Sequence, residues 1–195
     1  MLRTVFFMLC LSVSSTISAQ MKLLDEPKSK SGVDAVTDAK DFFDSANTFI
    51  GFDDLEAFSR VNDQYKKLGV TFSSSNTDDS VAVMPYAFAD GKSGKFSIAS
   101  KKPQYQGKMT IAFDGIKIAS VGFHLSHVNS GGTLVDAYAK NDKFLGRFGI
   151  PKNKVGTVFF GMKSKTPIAK LIISPVKPVD KDFAIDDLAF TKIAK

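Results

Sequence analysis

Short apolar runs separated by turn-forming residues dominate the chain from residue 49 onward. Each run has the length of a strand rather than of a helix, and the breaks between runs are rich in glycine, proline, asparagine and aspartate. The eleven runs fall at residues 49–52, 69–73, 81–84, 95–98, 109–113, 118–126, 133–139, 144–148, 157–162, 168–174 and 183–191. So many short strands without a long helix predict an all-β fold, a two-sheet antiparallel jelly-roll sandwich.

The run at residues 118–126 shows the clearest alternation of apolar and polar positions. Because successive side chains of a strand point to opposite faces, its large apolar residues share one face. Those residues are Val121, Phe123 and Leu125. The opposite face carries Ser120, Gly122, His124 and Ser126. We therefore predict that one face of this strand packs in the core and that the other faces water.

The segment Lys140-Asn141-Asp142-Lys143 joins two of the predicted strands. Asn and Asp tolerate left-handed backbone conformations better than most residues do. The segment therefore predicts a tight hairpin between the runs at 133–139 and 144–148.

Residues 1–19 have the pattern of a secretory signal peptide. Arg3 precedes an apolar run at residues 5–11, and small residues end at Ala19, after which we expect cleavage. The apolar run is too short to cross a bilayer, which takes roughly 20 apolar residues. The only cysteine, Cys10, lies in this segment. The mature chain is therefore expected to use neither a cysteine nucleophile, nor a zinc–thiolate site, nor an iron–sulfur cluster.

The remaining chain divides into a leader and one domain. Residues 20–47 are read as a flexible leader with a possible short helix within 33–46, where apolar residues recur at helical spacing. Residues 48–195 are read as the jelly-roll domain. We expect secretion to an extracellular or periplasmic location, with no transmembrane segment in the mature chain.

Charge is distributed unevenly along the chain. The whole sequence has a formal net charge of +6. Residues 20–54 contain eight acidic residues against four lysines, whereas residues 55–195 are strongly basic. A basic domain behind an acidic leader favours polyanionic partners such as acidic glycans or anionic lipid surfaces. The alternative is a lysine-rich surface that only promotes solubility.

Two Asp-Asp pairs, Asp53-Asp54 and Asp186-Asp187, interrupt apolar runs near the two ends of the domain. Charged pairs are poor strand residues, so we expect neighbouring strands whose carboxylates converge on a cation. Calcium takes about six to eight oxygen ligands and is the candidate cation, with Asp53 as the metal ligand chosen from the first pair. Alternation places Asp54 and Asp187 in solvent or at turns. The alternative is that all four aspartates discourage edge-to-edge aggregation.

The two histidines, His124 and His127, offer little for catalysis. Their odd offset places them on opposite faces of a continuous strand, so a paired zinc site would need a bend and further ligands. We expect both to face solvent or to lie in a loop. Neither a Ser-His-Asp arrangement nor a Gly-x-Ser-x-Gly elbow is indicated, and no catalytic residue is predicted.

Basic and aromatic residues cluster between residues 86 and 108. Tyr86, Lys101, Lys102 and Tyr105 are the candidate ligand-binding residues, because such side chains can stack on sugar rings or bind an anionic polymer. The alternative is an ordinary variable loop. Trp is absent and there are only four Tyr, which argues against a broad stacking surface. Nucleic acid could use the same features, but the secretory signal argues against it.

A series of motifs follows one another in a recognisable order between residues 49 and 191. They are Phe52-Asp53-Asp54-Leu55, Gly69-Val70-Thr71-Phe72, Ser120-Val121-Gly122-Phe123, Phe159-Phe160-Gly161 and Ile185-Asp186-Asp187-Leu188. In this order the chain resembles secreted bacterial jelly-roll domains of PEP-CTERM-sorted proteins, which are similar to galactose-binding-like carbohydrate-binding modules. The resemblance implies a structural calcium near the first and last strands, with Asp186 at a matching position as its second metal ligand beside Asp53. The sorting motif Val-Pro-Glu-Pro is not in these 195 residues, so no sorting function is carried over.

The expected function follows from the resemblance together with the residues. It is a secreted, non-catalytic module that binds extracellular or cell-surface glycan, including acidic polysaccharide, and is stabilised by calcium. The first alternative is a structural or adhesive matrix protein without a small ligand. The second is a glycan or ester hydrolase, which would need two suitably spaced acids in a cleft. The oligomeric state stays open.

Overall fold

The computed structural model describes residues 22–23, 32–75, 81–85, 96–100, 108–126, 132–151, 157–176 and 183–193. These residues form thirteen β-strands and one α-helix, α1 (Ala39–Ser45). The strands are β1 (Lys22–Leu23), β2 (Val33–Ala35), β3 (Thr48–Ile50), β4 (Val70–Ser74), β5 (Val81–Pro85), β6 (Phe96–Ser100), β7 (Met109–Phe113), β8 (Ile118–Ser126), β9 (Thr133–Tyr138), β10 (Phe144–Ile150), β11 (Val158–Ile168), β12 (Lys170–Pro175) and β13 (Ala184–Lys192). Each of the eleven predicted runs overlaps a strand. No helix in the described ranges is long and apolar enough to cross a membrane.

The strands form two antiparallel sheets. Sheet one has six strands in the order β1-β10-β9-β12-β7-β4. Sheet two has the order β2-β11-β8-β13-β6-β5, and β3 also pairs with β13. The predicted fold class, a two-sheet antiparallel sandwich of jelly-roll type, is confirmed. The strands β1 and β2, which precede residue 48, were not predicted.

Aromatic contacts join the two sheets across the core. Phe148 of sheet one meets Phe160 of sheet two with ring centroids 5.6 Å apart. Phe113 of sheet one meets Phe190 of sheet two at 5.4 Å. All four rings are buried, and full burial of such a side chain contributes about 1.5–3 kcal/mol. With the inner faces packed together, the outer faces of both sheets are left for other roles.

The predicted hairpin between β9 and β10 is confirmed. Asn141 and Asp142 have φ angles of 60° and 59°, in the left-handed region. The N–H of Ala139 donates to the carbonyl of Lys143 at 2.8 Å and closes the turn. The two residues therefore supply the conformations for which Asn and Asp are suited.

The outer face of β8 does not face water, contrary to the prediction. Helix α1 covers the part of it around Gly122 and His124, and Phe42 of the helix is 2% exposed. The close approach depends on Gly122, because a Cβ there would lie 2.8 Å from Cε1 of Phe42. Asp38 caps the helix by accepting a hydrogen bond from the N–H of Asp41 at 3.0 Å. Alternation on one strand could not reveal this cover, because the helix lies some eighty residues earlier in the sequence.

Candidate functional site

A β-bulge in β13 carries the C-terminal Asp-Asp pair. Asp186 is paired with His124 of β8, and Ala189 is paired with Gly122, so β13 has one residue more than its partner. Asp187 has a φ of 54°, and its N–H donates to Oδ1 of Asp186 at 2.8 Å. The extra residue changes the alternation of side chains. Asp187 is consequently 4% exposed, and the expectation that it faces solvent is wrong.

The bulge brings Asp187 into contact with His124. Nδ1 of His124 lies 3.0 Å from Oδ2 of Asp187, and both side chains are buried. Phe43 of α1 stacks on the imidazole, with centroids 5.0 Å apart and an interplanar angle of 17°. Phe159 meets the imidazole edge-on at 5.8 Å. The prediction of a solvent-facing histidine is therefore wrong for His124, because the helix covers this part of sheet two. His127 lies outside the described residues.

The N-terminal Asp-Asp pair begins three residues after the end of β3. Oδ1 of Asp53 accepts a hydrogen bond from the N–H of Phe96 at 3.0 Å, which ties the end of β3 to the start of β6. Asp54 accepts a hydrogen bond from the hydroxyl of Tyr65. Burial raises the pKa of the Tyr65 phenol, and this hydrogen bond adds to the effect. Ile50 pairs with Leu188, so the expected neighbourhood of the two Asp-bearing strands is confirmed.

The two predicted metal ligands lie near strands that pair with each other but differ in burial, since Asp186 is 2% exposed and Asp53 is exposed. Asp186 belongs to β13, and Asp53 is bound to β6, which pairs with β13. Both carboxylates already accept backbone N–H groups. Among the described residues, no three His, Cys, Asp or Glu side chains are arranged to hold a metal ion. Any calcium at Asp53 and Asp186 would thus draw most of its ligands from carbonyl oxygens and water.

The four predicted ligand-binding residues, Tyr86, Lys101, Lys102 and Tyr105, all lie outside the described residues. Their assignment stays a prediction.

The outer face of sheet one carries a site that was not predicted. It consists of four outward-pointing side chains, which we call the tyrosine face: Asp136, Tyr138, Arg147 and Lys170. Val135 and Ala137 point into the core, so alternation turns Asp136 and Tyr138 outward. The ladder then sets Tyr138 beside Lys170 and Asp136 beside Arg147. All four side chains are held by strands rather than by loops.

Tyr138 provides the apolar surface of this face. Nζ of Lys170 lies 5.1 Å from the centroid of its ring, within cation–π range. The ring of Phe144 approaches edge-on at 5.6 Å. Lys170 also pairs with Asp142, with 2.7 Å between Nζ and Oδ1. Burial raises the pKa of the Tyr138 phenol, and the charge of Asp136 adds to this effect. The hydroxyl is therefore protonated at neutral pH and can donate a hydrogen bond.

Arg147 and Asp136 form a bidentate pair beside the tyrosine. Nε of Arg147 lies 2.6 Å from Oδ1 of Asp136, and Nη2 lies 3.0 Å from Oδ2. The arginine side chain is 35% exposed and the aspartate side chain 11%. The pair holds both planar groups in place, and it presents charged donors and acceptors next to a partly exposed aromatic ring.

A signal for these residues was present in the sequence. Tyr138, Asp136 and Arg147 are polar or amphipathic residues at outward positions of otherwise apolar runs. The pairing of strands that brings them together, β12 beside β9 and β9 beside β10, is not a property of any single run. Only the hairpin between β9 and β10 was predictable, so Lys170 could not have been placed.

Several solved structures are similar to this chain. The K2 cleaved adhesin domain of Lys-gingipain is 9% identical with a TM-score of 0.46, and the match covers 63% of this chain and 88% of that one. The CBM22-1 xylan-binding domain of Paenibacillus barcinonensis Xyn10C is 9% identical with a TM-score of 0.42, and the match covers 76% of this chain and 94% of that one. The family 11 carbohydrate-binding module of Lic26A-Cel5E of Clostridium thermocellum is 13% identical with a TM-score of 0.39, and the match covers 77% of this chain and 98% of that one. At such identities the similarity is one of fold.

No protein-family model matches the chain, and the search of curated proteins gives no match.

Proposed function

We propose that the protein is a secreted, non-catalytic module that binds a polysaccharide or cell-surface glycan through the tyrosine face. The observation that carries the proposal is a partly exposed tyrosine ring beside a bidentate Arg147–Asp136 pair on one face of a sheet. Carbohydrate presents both apolar C–H faces and hydroxyl groups. The ring of Tyr138 can contact the apolar C–H face of a sugar. The charged pair can form strong hydrogen bonds with the sugar hydroxyl groups.

The strands favour binding by a preformed surface. Asp136, Tyr138, Arg147 and Lys170 lie on three neighbouring strands of one ladder. Strand positions keep side chains in place more firmly than loops do, so little order has to be imposed when a ligand binds. The polar surroundings of the ring suit a hydroxyl-rich ligand better than an apolar one.

The most obvious catalytic pair in the described residues is placed unfavourably for chemistry. His124 and Asp187 resemble a general base with its orienting carboxylate. However, Phe43 stacks on the imidazole and both side chains are buried. A substrate could reach Nε2 or Nδ1 only if α1 moved away. We therefore assign the pair a structural role.

Structural calcium at Asp53 and Asp186 belongs to the same proposal. Support comes from the strand pairing: Asp186 lies on β13, which pairs with both β3 and β6, and Asp53 accepts a hydrogen bond from the first residue of β6. A cation bound there would tie together strands that are far apart in sequence, which would stabilise the fold without disulfide bonds.

Export is also proposed, on the pattern of residues 1–19. Expression with the full signal in a bacterial host should yield a periplasmic or extracellular protein whose first residue, by N-terminal sequencing, is Gln20. Recovery of the chain with Met1 at its start in the cytoplasm would contradict this.

A glycan array with the purified protein tests the proposed function. We expect binding to at least one polysaccharide class that persists in moderate salt, since the tyrosine face combines apolar contact with hydrogen bonds. The array is repeated after exhaustive chelation, which separates a metal that only stabilises the fold from one that contacts sugar. A blank array together with concentration-dependent self-assembly would instead support a structural or adhesive matrix protein.

A further inference from the structure

A pocket opens on the outer face of sheet two, on the opposite side of the sandwich from the tyrosine face. Its volume is about 400 Å³, which lies in the range of about 300–1,000 Å³ that is usual for small-molecule sites. Its lining includes Asp34, Ser120, Lys163, Lys165 and Thr191. We call it the lysine pocket. None of these residues belongs to the tyrosine face, and none is one of the four aspartates of the two Asp-Asp pairs.

The floor of the lysine pocket is one row of side chains across four strands. Lys163 of β11 is paired with Asp34 of β2 on one side and with Ser120 of β8 on the other. Ser120 is in turn paired with Thr191 of β13. Residues in one row of a ladder point to the same face. An ammonium group, a carboxylate and two hydroxyls therefore stand side by side on a rigid surface.

The charged groups of the pocket are not used to stabilise one another. Asp34 and Lys163 are direct partners in the ladder, yet within the described part of the chain no ion pair joins them. Lys165 has no carboxylate partner there either. By contrast, Lys40 and Lys170 each pair with an aspartate at 2.6 Å and 2.7 Å. The two lysines in the pocket thus keep their hydrogen-bond donors available for a ligand.

The hydroxyl groups divide into two kinds. Ser45 donates to the carbonyl of Phe42 at 2.9 Å, and Ser164 donates to that of Thr166 at 2.7 Å, so these two shape the wall. Ser120 and Thr191 belong to the floor, where Ser120 is 6% exposed. A ligand lying on the floor would meet hydroxyls beneath it, one carboxylate at one end and two ammonium groups.

From this arrangement we infer that the lysine pocket is a second binding site, for an acidic monosaccharide unit such as a uronic acid. Lys163 and Lys165 take its carboxylate, and Asp34, Ser120 and Thr191 hydrogen-bond to its ring hydroxyls. Two cations against one anion leave a net charge of +1, which matches one carboxylate. The site does not depend on the tyrosine face, because the two lie on opposite sheets.

Titration of ¹⁵N-labelled protein with galacturonate, galactose and sulfate tests the inference. We expect galacturonate to shift the amide resonances of Ser120, Lys163 and Thr191. Galactose should bind at least about ten-fold more weakly because it lacks the carboxylate, and sulfate likewise because it lacks the ring hydroxyls. Sulfate binding as tight as galacturonate binding would reduce the pocket to a general anion site and overturn the inference. Shifts confined to other residues would overturn it as well.

Variants assign the binding to the two lysines. The double substitution Lys163→Ala with Lys165→Ala should weaken galacturonate binding about ten-fold or more, while the melting temperature stays within a few degrees. The matched control is Lys66→Ala with Lys67→Ala, which removes the same charge from an exposed turn. If control and pocket variants weaken binding equally, net charge alone is responsible and the site is refuted. Loss of binding in Tyr138→Ala but not in the pocket variant would place the ligand on the tyrosine face.

Discussion

The buried contact between His124 and Asp187 gives the sharpest test of how the outer face of sheet two is stabilised. Replacing His124 by Phe keeps an aromatic ring under Phe43 and removes Nδ1, which lies 3.0 Å from Oδ2 of Asp187. Asp187 is 4% exposed, so its carboxylate loses the imidazole in a poorly solvated place. A hydrogen bond to a charged group typically contributes about 1.5–3 kcal/mol, and the loss is greatest where the charged group is left buried. We expect His124→Phe to lower the free energy of unfolding by about 3 kcal/mol.

A second substitution, Asp187→Asn, distinguishes the contribution of the His124–Asp187 contact from that of the surrounding side-chain packing. Asn has nearly the same shape and also tolerates the left-handed φ of 54° at this position. An amide is much less costly to bury than a carboxylate without its imidazole partner. Asp187→Asn should therefore cost about 1 kcal/mol alone, yet it should recover about 1–2 kcal/mol when added to His124→Phe.

Urea denaturation of the native chain, both single variants and the double variant measures the coupling. For a domain of this size, 1 kcal/mol corresponds to about 2–4 °C in melting temperature. The melting temperature of the single His124→Phe variant should therefore be roughly 6–12 °C below that of the native chain. Strictly additive losses in the double variant would show that the two side chains do not interact. A His124→Phe variant as stable as the native chain would refute the reasoning altogether.

Three further outcomes are expected. Gly122→Ala should destabilise the fold by about 1–3 kcal/mol in thermal melts, because its Cβ would lie 2.8 Å from Phe42 and from the carbonyl of Phe160; Gly32→Ala, with 3.6 Å to its nearest neighbour, is the control. Ser97→Ala should raise the free energy of urea unfolding by about 1 kcal/mol, since that hydroxyl is buried without a hydrogen-bond partner in the described structure; a loss of stability would contradict this. Excess chelator should lower the melting temperature if Asp53 and Asp186 hold calcium, and a melt that does not change would remove that proposal.

Much of the fold was predictable from local sequence patterns, because the residues of each strand show the apolar run or the alternation that is typical of a strand. The runs at 109–113 and 118–126 coincide with β7 and β8, and Asn141 marked the hairpin that follows β9. Such signals need only the alternation of side chains and the backbone preferences of turn residues. The pairing of the two Asp-bearing strands was also predicted, from their shared interruption by charge.

The environment of the outer faces was not predictable, because it depends on residues distant in sequence. The bulge at Asp187 reverses the alternation that had assigned it to solvent. The burial of His124 depends on Phe43 and thus on where α1 packs. The tyrosine face depends on the placement of β12 between β9 and β7. None of these features leaves a pattern within a single run.

Calorimetric titration of the best array ligand into the native chain and two variants tests the central claim most directly. Truncating a central aromatic side chain in a binding surface commonly costs about 2 kcal/mol or more, which is about thirty-fold in affinity. Tyr138→Ala should therefore abolish or strongly weaken binding, whereas Phe49→Ala, which removes an exposed aromatic ring from the other sheet, should leave it unchanged. Equal affinity of the native chain and Tyr138→Ala would contradict the assignment of glycan binding to the tyrosine face.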